Sequence, residues 1–564
     1  MNKNTFYIIL IRPSHYDDEG YVIQWQRSFV PSNSLAVLYG LCRDVAEREA
    51  LGNNTEIVLT AMDETNTRIP VDRIIRQLSG SPNSGLVAFV GVQTNQFPRA
   101  MDMATRMRRS GLQVCIGGFH VSGCISMLSE APPDLQHALD IGISLFAGEA
   151  EGRMETVIRD AYHGQLQPMY NHLADLPALA SQPAPFLPAD VLQRSLASTS
   201  FDAGRGCPFL CSFCTIINVQ GRQSRFRSDD DIEKIIRENR AQNIHRFLIT
   251  DDNFSRNRDW EKIFDRIIML REKEGIAIRL ILQVDAMCHR IPGFIEKASR
   301  AGVGMVFIGL ESINKETLIA TGKRQNSFSE YRITLQAWRN AKVMTTVGYI
   351  IGFPEDTVAS FSRDIDLLQS ELPIDFLQLS YLTPLPGSED HKKMHESGSW
   401  MDPDMNRYDL NHITTLHPEM SKDELEQSHI NALDSFYSDE QVEVRLRRAW
   451  ANGMPLYRIA TVNLWYIACR LESVSCPDGG IFRRKQRLDR RLGLPIESPF
   501  IFYPKRIAET LRIYSKLAVL ALKYWRICRA IKNDPDAAQY SDAALSADVG
   551  VQHKQTKKIN LQAR

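Results

Sequence analysis

The chain has 564 residues, too many for one ordinary hydrophobic core, so several domains are expected. Hydrophobic residues make up 43% and charged residues 24%, which excludes a disordered or fibrous chain and fits a soluble globular one. Lys+Arg and Asp+Glu both number 67, so the charge balance offers nothing to a nucleic acid, and no such partner is expected. The ten cysteines form no disulfide-type framework, which favours a reducing compartment. The start MNKNTFYIILIRPSHYDD lacks the features of a signal peptide, and no apolar run approaches the ~20 residues needed to cross a bilayer. The expected location is cytoplasmic.

Across residues 1–165, short apolar runs alternate with helical patterns. Phe6–Ile11, Glu56–Leu59, Leu86–Val92, Gln113–Ile116 and Ile143–Ala147 read as strands. Helices are expected near 34–50, 71–78, 98–110 and 151–161. The alternation predicts an α/β fold, a doubly wound Rossmann-like domain whose ligands sit at the carboxyl ends of parallel strands. Two such ends stand out. Gly117-Gly118-Phe119-His120 has paired glycines that let a backbone approach a flat ligand, and Gly148-Glu149-Ala150-Glu151-Gly152 opens a helix. Ordinary turn chemistry accounts for either one equally well.

Residues 166–200 are rich in Pro and Ala and read as an extended linker. The line GRGCPFLCSFC follows, with Cys207, Cys211 and Cys214 at C-x3-C-x2-C spacing on a turn. Three thiolates on one loop can hold three irons of a [4Fe-4S] cluster and leave the fourth open. A structural zinc site normally wants four protein ligands, and no other Cys or His lies between Asp202 and Asn243. A partial zinc site and three buried free thiols stay open as alternatives.

From 201 to 390 a second series begins. Ser228, with Asp231 three positions on, marks a helix start. Strands at Arg246–Thr250, Ile278–Val284, Met305–Ile308, Thr345–Ile350 and Phe376–Leu379 alternate with helices near 259–274, 292–301, 328–340 and 357–371. This repetition predicts a parallel βα barrel, complete or partial. Polar residues fall at successive strand ends: Asp251, Asp252 and Asn253, then Gln283 and Asp285, then Glu311 and Ser312.

The cysteine line and these strand ends resemble the radical S-adenosylmethionine (SAM) superfamily. Over about residues 5–390 the chain looks like the subgroup with an N-terminal cobalamin (B12)-binding-type domain, class B methyltransferase-like. The resemblance implies a partial (β/α)6 barrel of TIM type, with Cys207, Cys211 and Cys214 as cluster ligands and Phe213 as the aromatic shield. It implies that the open iron binds the amino and carboxylate groups of SAM. An electron from the cluster then splits SAM to methionine and a 5′-deoxyadenosyl radical. Thr250-Asp251-Asp252-Asn253 stands where the superfamily meets the SAM amino group, and Gly309-Leu310-Glu311-Ser312 matches the subgroup's GLES segment. Asp251, Asp252, Asn253, Gln283, Glu311 and Ser312 are therefore the expected SAM contacts, where acids would gain charge-assisted hydrogen bonds. The segment Ile351–Glu355 resembles one that packs on adenine.

Gly117, Gly118, His120, Gly148 and Glu149 resemble the subgroup's GGxH and GEGE-like signatures and are the expected cobalamin contacts. The axial-ligand pattern Asp-x-His-x-x-Gly is broken at Arg12-Pro13-Ser14-His15, so His15 reads as a loop residue. The function implied is cobalamin-dependent methylation of an unactivated carbon in a small-molecule or lipid substrate, with an external electron donor such as flavodoxin or ferredoxin. One alternative is a radical SAM rearrangement, cyclisation or C–C coupling without methyl transfer. The other is a non-enzymatic metal-binding protein.

Residues 391–532 show helical periodicity near 421–450 and are expected to form a mainly helical domain that shapes the substrate pocket. His412 and His417 read as structural, and Cys469 and Cys476 lack a C-x2-C partner. Residues 505–532 carry eight Lys/Arg and one Glu among Leu, Ile, Tyr and Trp525. Such a helix can lie on an anionic membrane surface, which would favour a lipid or isoprenoid substrate and a peripheral position at the inner membrane. Packing of its apolar side on the barrel is the plainer reading. Residues 533–564 are polar and expected to be disordered.

Overall fold

The computed structural model describes residues 4–80, 83–196, 198–323 and 326–546. The first sheet has six parallel strands in the order Thr55–Asp63, Asn4–Arg12, Gly85–Phe89, Gln113–Gly117, Ser144–Ala147 and Met169–Asn171. Period-two alternation sets its two faces. Ile8 and Leu10 join Leu35 and Val157 in one core, whereas Ile9 and Ile11 join Met103 and Leu78 in the other. Helices therefore cover both sides, as the α/β reading requires. The domain boundary moves, because the sixth strand lies beyond residue 165. Part of the stretch read as linker thus belongs to this sheet, and a short helix Ala189–Leu192 follows.

The second sheet is built from β1 Ser198–Phe201, β2 Arg246–Ile249, β3 Arg279–Val284, β4 Val303–Glu311, β5 Met344–Ile351 and β6 Phe376–Tyr381. All neighbours are parallel and pair in chain order, which is the partial six-stranded barrel. It begins three residues before the expected start at 201. The β1 edge is covered by the first domain, where the Ser198 and Ser200 hydroxyls donate to the Phe29 and Pro31 carbonyls. Tyr437, just after the helix Lys422–Phe436, donates its hydroxyl proton to Leu377 on β6. The Ser228 capping box with Asp231 starts the helix Asp229–Ala241.

The C-terminal region is mainly helical, with helices Asp439–Ala451, Leu456–Leu471 and Pro499–Asn533 after the one just named. Sequence periodicity missed one strand in it. Gly480–Arg484 pairs antiparallel with Gln24–Ser28 and ties this region to the first domain. The region also shares a core with the barrel, where Met344 and Phe376 meet Leu446, Ile459 and Tyr524.

The expectation of disorder from residue 533 is corrected over 533–546. Ala537 and Ala544 are buried, and Asp542 pairs with Arg448 at 2.6 Å. Two buried guanidiniums, Arg448 and Arg332, supply the partners that this polar segment's composition could not reveal. Residues 547–564 of that expected tail lie outside the described residues. All ten cysteines are free. No described helix is long and apolar enough to cross a membrane.

Candidate active site

The three cysteines occupy the loop between short antiparallel strands Gly204–Arg205 and Arg225–Phe226, directly after β1. Gly206 turns the chain into this loop at φ +90°, and a Cβ there would stand 2.5 Å from the Gln223 carbonyl oxygen. Backbone bonds fix the loop: Cys207 N–H donates to Gly221 at 3.2 Å, Cys214 to Cys211 at 3.1 Å, and Ser212 to Thr321 at 3.2 Å.

Cys211 is buried, and Cys207 and Cys214 are partly so. Burial raises all three thiols, Cys211 to about 11 and Cys214 to about 12. As free groups they stay protonated near neutrality, so a bound metal is what would make them thiolates. No three His, Cys, Asp or Glu side chains among the described residues surround a common point suited to a single ion. Ligation of three separate irons needs no such point.

A residue missed in the sequence completes this wall. Lys323 Nζ lies 2.5 Å from Glu311 Oε1, 3.2 Å from the Gly309 carbonyl and 5.8 Å from the Phe213 ring centre. Burial alone would lower the Lys323 pKa, but Glu311 and then the Cys211 thiol raise it. Glu311 is held at φ +67°, rare for a residue with a Cβ and a sign of local strain. The available signal was Thr321-Gly322-Lys323. Gly322 turns at φ +80° with its missing Cβ 2.5 Å from the Leu210 carbonyl oxygen, which lays this turn against the cysteine loop. Phe213 meets Phe353 edge-on at 6.3 Å, so the segment at the end of β5 does reach the aromatic beside Cys214.

The expected SAM contacts divide. Asp251 is fully buried and accepts from the Ala203 N–H at 2.7 Å, the Gly204 N–H at 2.8 Å and the Asn257 amide at 3.1 Å. It holds the entry to the cysteine loop, a positioning role. Asn253 donates to Asp285, which Arg256 also grips at 2.6 Å. Ser312 accepts the Asn314 N–H and shapes a turn. Each of these side chains is engaged within the protein. Asp252 and Gln283 are different: neither side chain bonds another described side chain, and both are half-buried. Burial pushes Asp252 up to about 7, partly offset by a hydrogen bond from its own backbone N–H and then by the Arg205 charge.

Asp252 lines a cavity of about 250 Å³ between the strand ends of the first sheet and the barrel. Gly117, Gly118 and Gly148 form its opposite wall beside the apolar Ala88 and Val90. The glycines owe their identity to the protein's own backbone. A Cβ on Gly118 would stand 2.1 Å from the Val92 nitrogen, and one on Gly148 would stand 2.8 Å from the His172 carbonyl carbon. Glu149 also lines the cavity, but its carboxylate is paired with Arg205 at 2.7 Å and Arg225 at 2.5 Å. It acts as an interdomain clamp.

His120 is corrected as a cavity contact. Its ring bonds Asp134 at 2.7 Å and packs 4.3 Å from Phe97, and it does not line the cavity. No histidine does so among the described residues, and His15 is buried in its loop. An apolar wall backed by bare glycine backbone would suit one face of a flat macrocyclic cofactor.

Residues 203–368 match the family model of the radical SAM superfamily. These residues form a radical SAM domain. The bacteriochlorophyllide d C-12(1)-methyltransferase of Chlorobaculum tepidum is 25% identical over 386 residues, covering 67% of this chain and 79% of that protein. The hopanoid C-2 methylase of Rhodopseudomonas palustris is 23% identical over 337 residues, covering 57% and 61%. The solved structure of the radical SAM methyltransferase TsrM from Kitasatospora setae, with cobalamin and a [4Fe-4S] cluster bound, shares the fold. Its TM-score is 0.54 at 15% identity, over 84% of this chain and 96% of that one. The radical SAM match spans the cysteine loop, Asp252, Gln283 and Lys323 together.

Proposed function

We propose that this radical SAM enzyme is a cobalamin-dependent methyltransferase acting on an unactivated carbon of an apolar substrate of the lipid or isoprenoid class. One observation carries the reading. The glycine-walled cavity of the first domain is closed on the barrel side by Gly204 and Arg205 before the cysteines and by Ile216, Val219 and Gln220 after them, with Asp252 beside these segments. The two relatives named for a bacteriochlorophyllide and a hopanoid support the apolar substrate and the methyl transfer.

Cys207, Cys211 and Cys214 would hold the cluster, and the glycine wall would take the corrin. When bound, the cluster supplies the electron that splits SAM and cobalamin supplies a methyl group. The chain's own side chains bind and orient. Lys323 places a partly buried positive charge beside the cluster loop, and Asp251 fixes that loop's entry through two backbone N–H groups. Asp252 and Gln283 keep free polar atoms for the amino and ribose groups of SAM, while Phe213 and Phe353 exclude water from its adenine side. Flavodoxin or ferredoxin would deliver the electron. Substrates of this class reside in bilayers, so the enzyme would work at a membrane surface.

The test is anaerobic purification with iron, sulfide and corrinoid analysis, then turnover with SAM, a reductant and a lipid extract. S-adenosylhomocysteine and 5′-deoxyadenosine forming together support methyl transfer. Deoxyadenosine alone points to rearrangement or coupling, and the formation of no product at all overturns the enzymatic reading.

A further inference from the structure

The helix Pro499–Asn533 has two apolar faces. Its 35 residues extend about 52 Å. Phe502, Ile513, Tyr524, Cys528 and Ile531 are buried against the rest of the protein. On the opposite side, Phe500, Tyr503, Ile507, Leu511, Leu522 and Trp525 share one exposed stripe, with Phe500 90% and Leu511 66% exposed. The stripe thins after Leu511, where Phe482 from the neighbouring strand fills in. Its ring stacks on Tyr514 at 5.0 Å and is itself half exposed.

Of the 23 exposed large apolar side chains among the described residues, 14 lie between Ile481 and Trp525. Eight of these 14 lie on the helix itself, and six of the eight on the stripe, unlike the scatter of single residues normal on a soluble surface.

Charge runs along one margin of the stripe. At 3.6 residues per turn, Lys505, Arg512, Lys516, Lys523 and Arg526 project from the same flank, between the exposed and buried faces. Lys505 is paired with Glu19 and Lys523 with Asp439, while Arg512, Lys516 and Arg526 have no ion pair among the described residues. Glu509, the acid within the helix, is tied to Arg506 and Lys485.

We propose that this face docks in the plane of an anionic bilayer, its apolar stripe entering the headgroup boundary and its basic margin meeting lipid phosphates. Charges recur along the whole helix, and no window of it is apolar enough to span a membrane, which leaves the in-plane orientation. The free basic margin selects this occupant over a second copy of the chain, which would bring its own positive margin to the contact. The inference does not depend on methyl transfer, and its test needs neither cofactor nor substrate.

The full-length protein is floated with vesicles of phosphatidylcholine alone or with added phosphatidylglycerol, at low and high salt, beside analytical ultracentrifugation. Wild type is expected on the anionic vesicles, less so at high salt. Ile507→Glu/Leu511→Glu is expected to lose binding at least about tenfold with an unchanged circular dichroism spectrum. Arg512→Ala/Lys516→Ala is expected to lose about tenfold on anionic vesicles alone. Absence of wild-type binding, or binding unchanged in Ile507→Glu/Leu511→Glu, overturns the proposal. A wild-type dimer that this variant dissociates, with no vesicle binding, overturns it in favour of self-association.

Discussion

The Lys323 ammonium stands 2.5 Å from the Glu311 carboxylate, and this partly buried pair sits against Phe213 at the wall of the cysteine loop. Removing one partner leaves an uncompensated charge inside the protein. Lys323→Met is expected to destabilise the apo-protein by about 3 kcal/mol in urea unfolding. Lys323→Met/Glu311→Gln should recover most of that loss. Equal stability of Lys323→Met and wild type would show that the pair is solvated and unimportant.

Arg205 joins the two domains. It reaches Glu149 at 2.7 Å, Glu151 at 2.6 Å and Asp202 at 3.1 Å, and all four side chains are largely buried. Arg205→Leu should cost about 3–5 kcal/mol, because three carboxylates lose a shared cation. Arg205→Lys keeps the charge without the planar fork and should fall between the two. Hydrogen exchange at the facing segments 147–152 and 202–206 would report the loosened interface.

His412 sets a pH dependence. Burial alone would lower its pKa, but bonds to Asp18 and Asp409, both at 2.9 Å, raise it to about 10. The unfolded value is near 6.5. A histidine raised on folding contributes stability fully below the unfolded value and loses it as pH rises through the folded one. His412→Gln should therefore be less stable than wild type by about 1 kcal/mol at pH 6, a figure reduced for the solvent exposure of Asp18. The difference should shrink steadily between pH 7 and 10. A difference constant with pH would rule out the charged imidazole.

Much of the architecture was legible because both sheets are parallel. Strands such as Gly85–Phe89 are continuous buried apolar runs between amphipathic helices, and that rhythm marks a parallel sheet. The cysteine line was legible because its spacing is local. Arg205 and Lys323 were not, since each gains its meaning from carboxylates brought over by other strands and loops. Asp251 and Asp252 are adjacent in sequence but divide in role, one bonded to backbone N–H groups and the other facing the cavity; spacing cannot separate them. The strand Gly480–Arg484 was hidden because its partner, Gln24–Ser28, lies more than four hundred residues earlier in the chain.

The cluster assignment is tested most directly by electron paramagnetic resonance of anaerobically reconstituted, reduced protein with and without SAM, with deoxyadenosine measured in parallel. The expected result is a [4Fe-4S] signal that changes on SAM addition and yields 5′-deoxyadenosine, with both lost in a folded Cys211→Ala variant. Zinc in place of iron, or a cluster signal indifferent to SAM, would contradict the account.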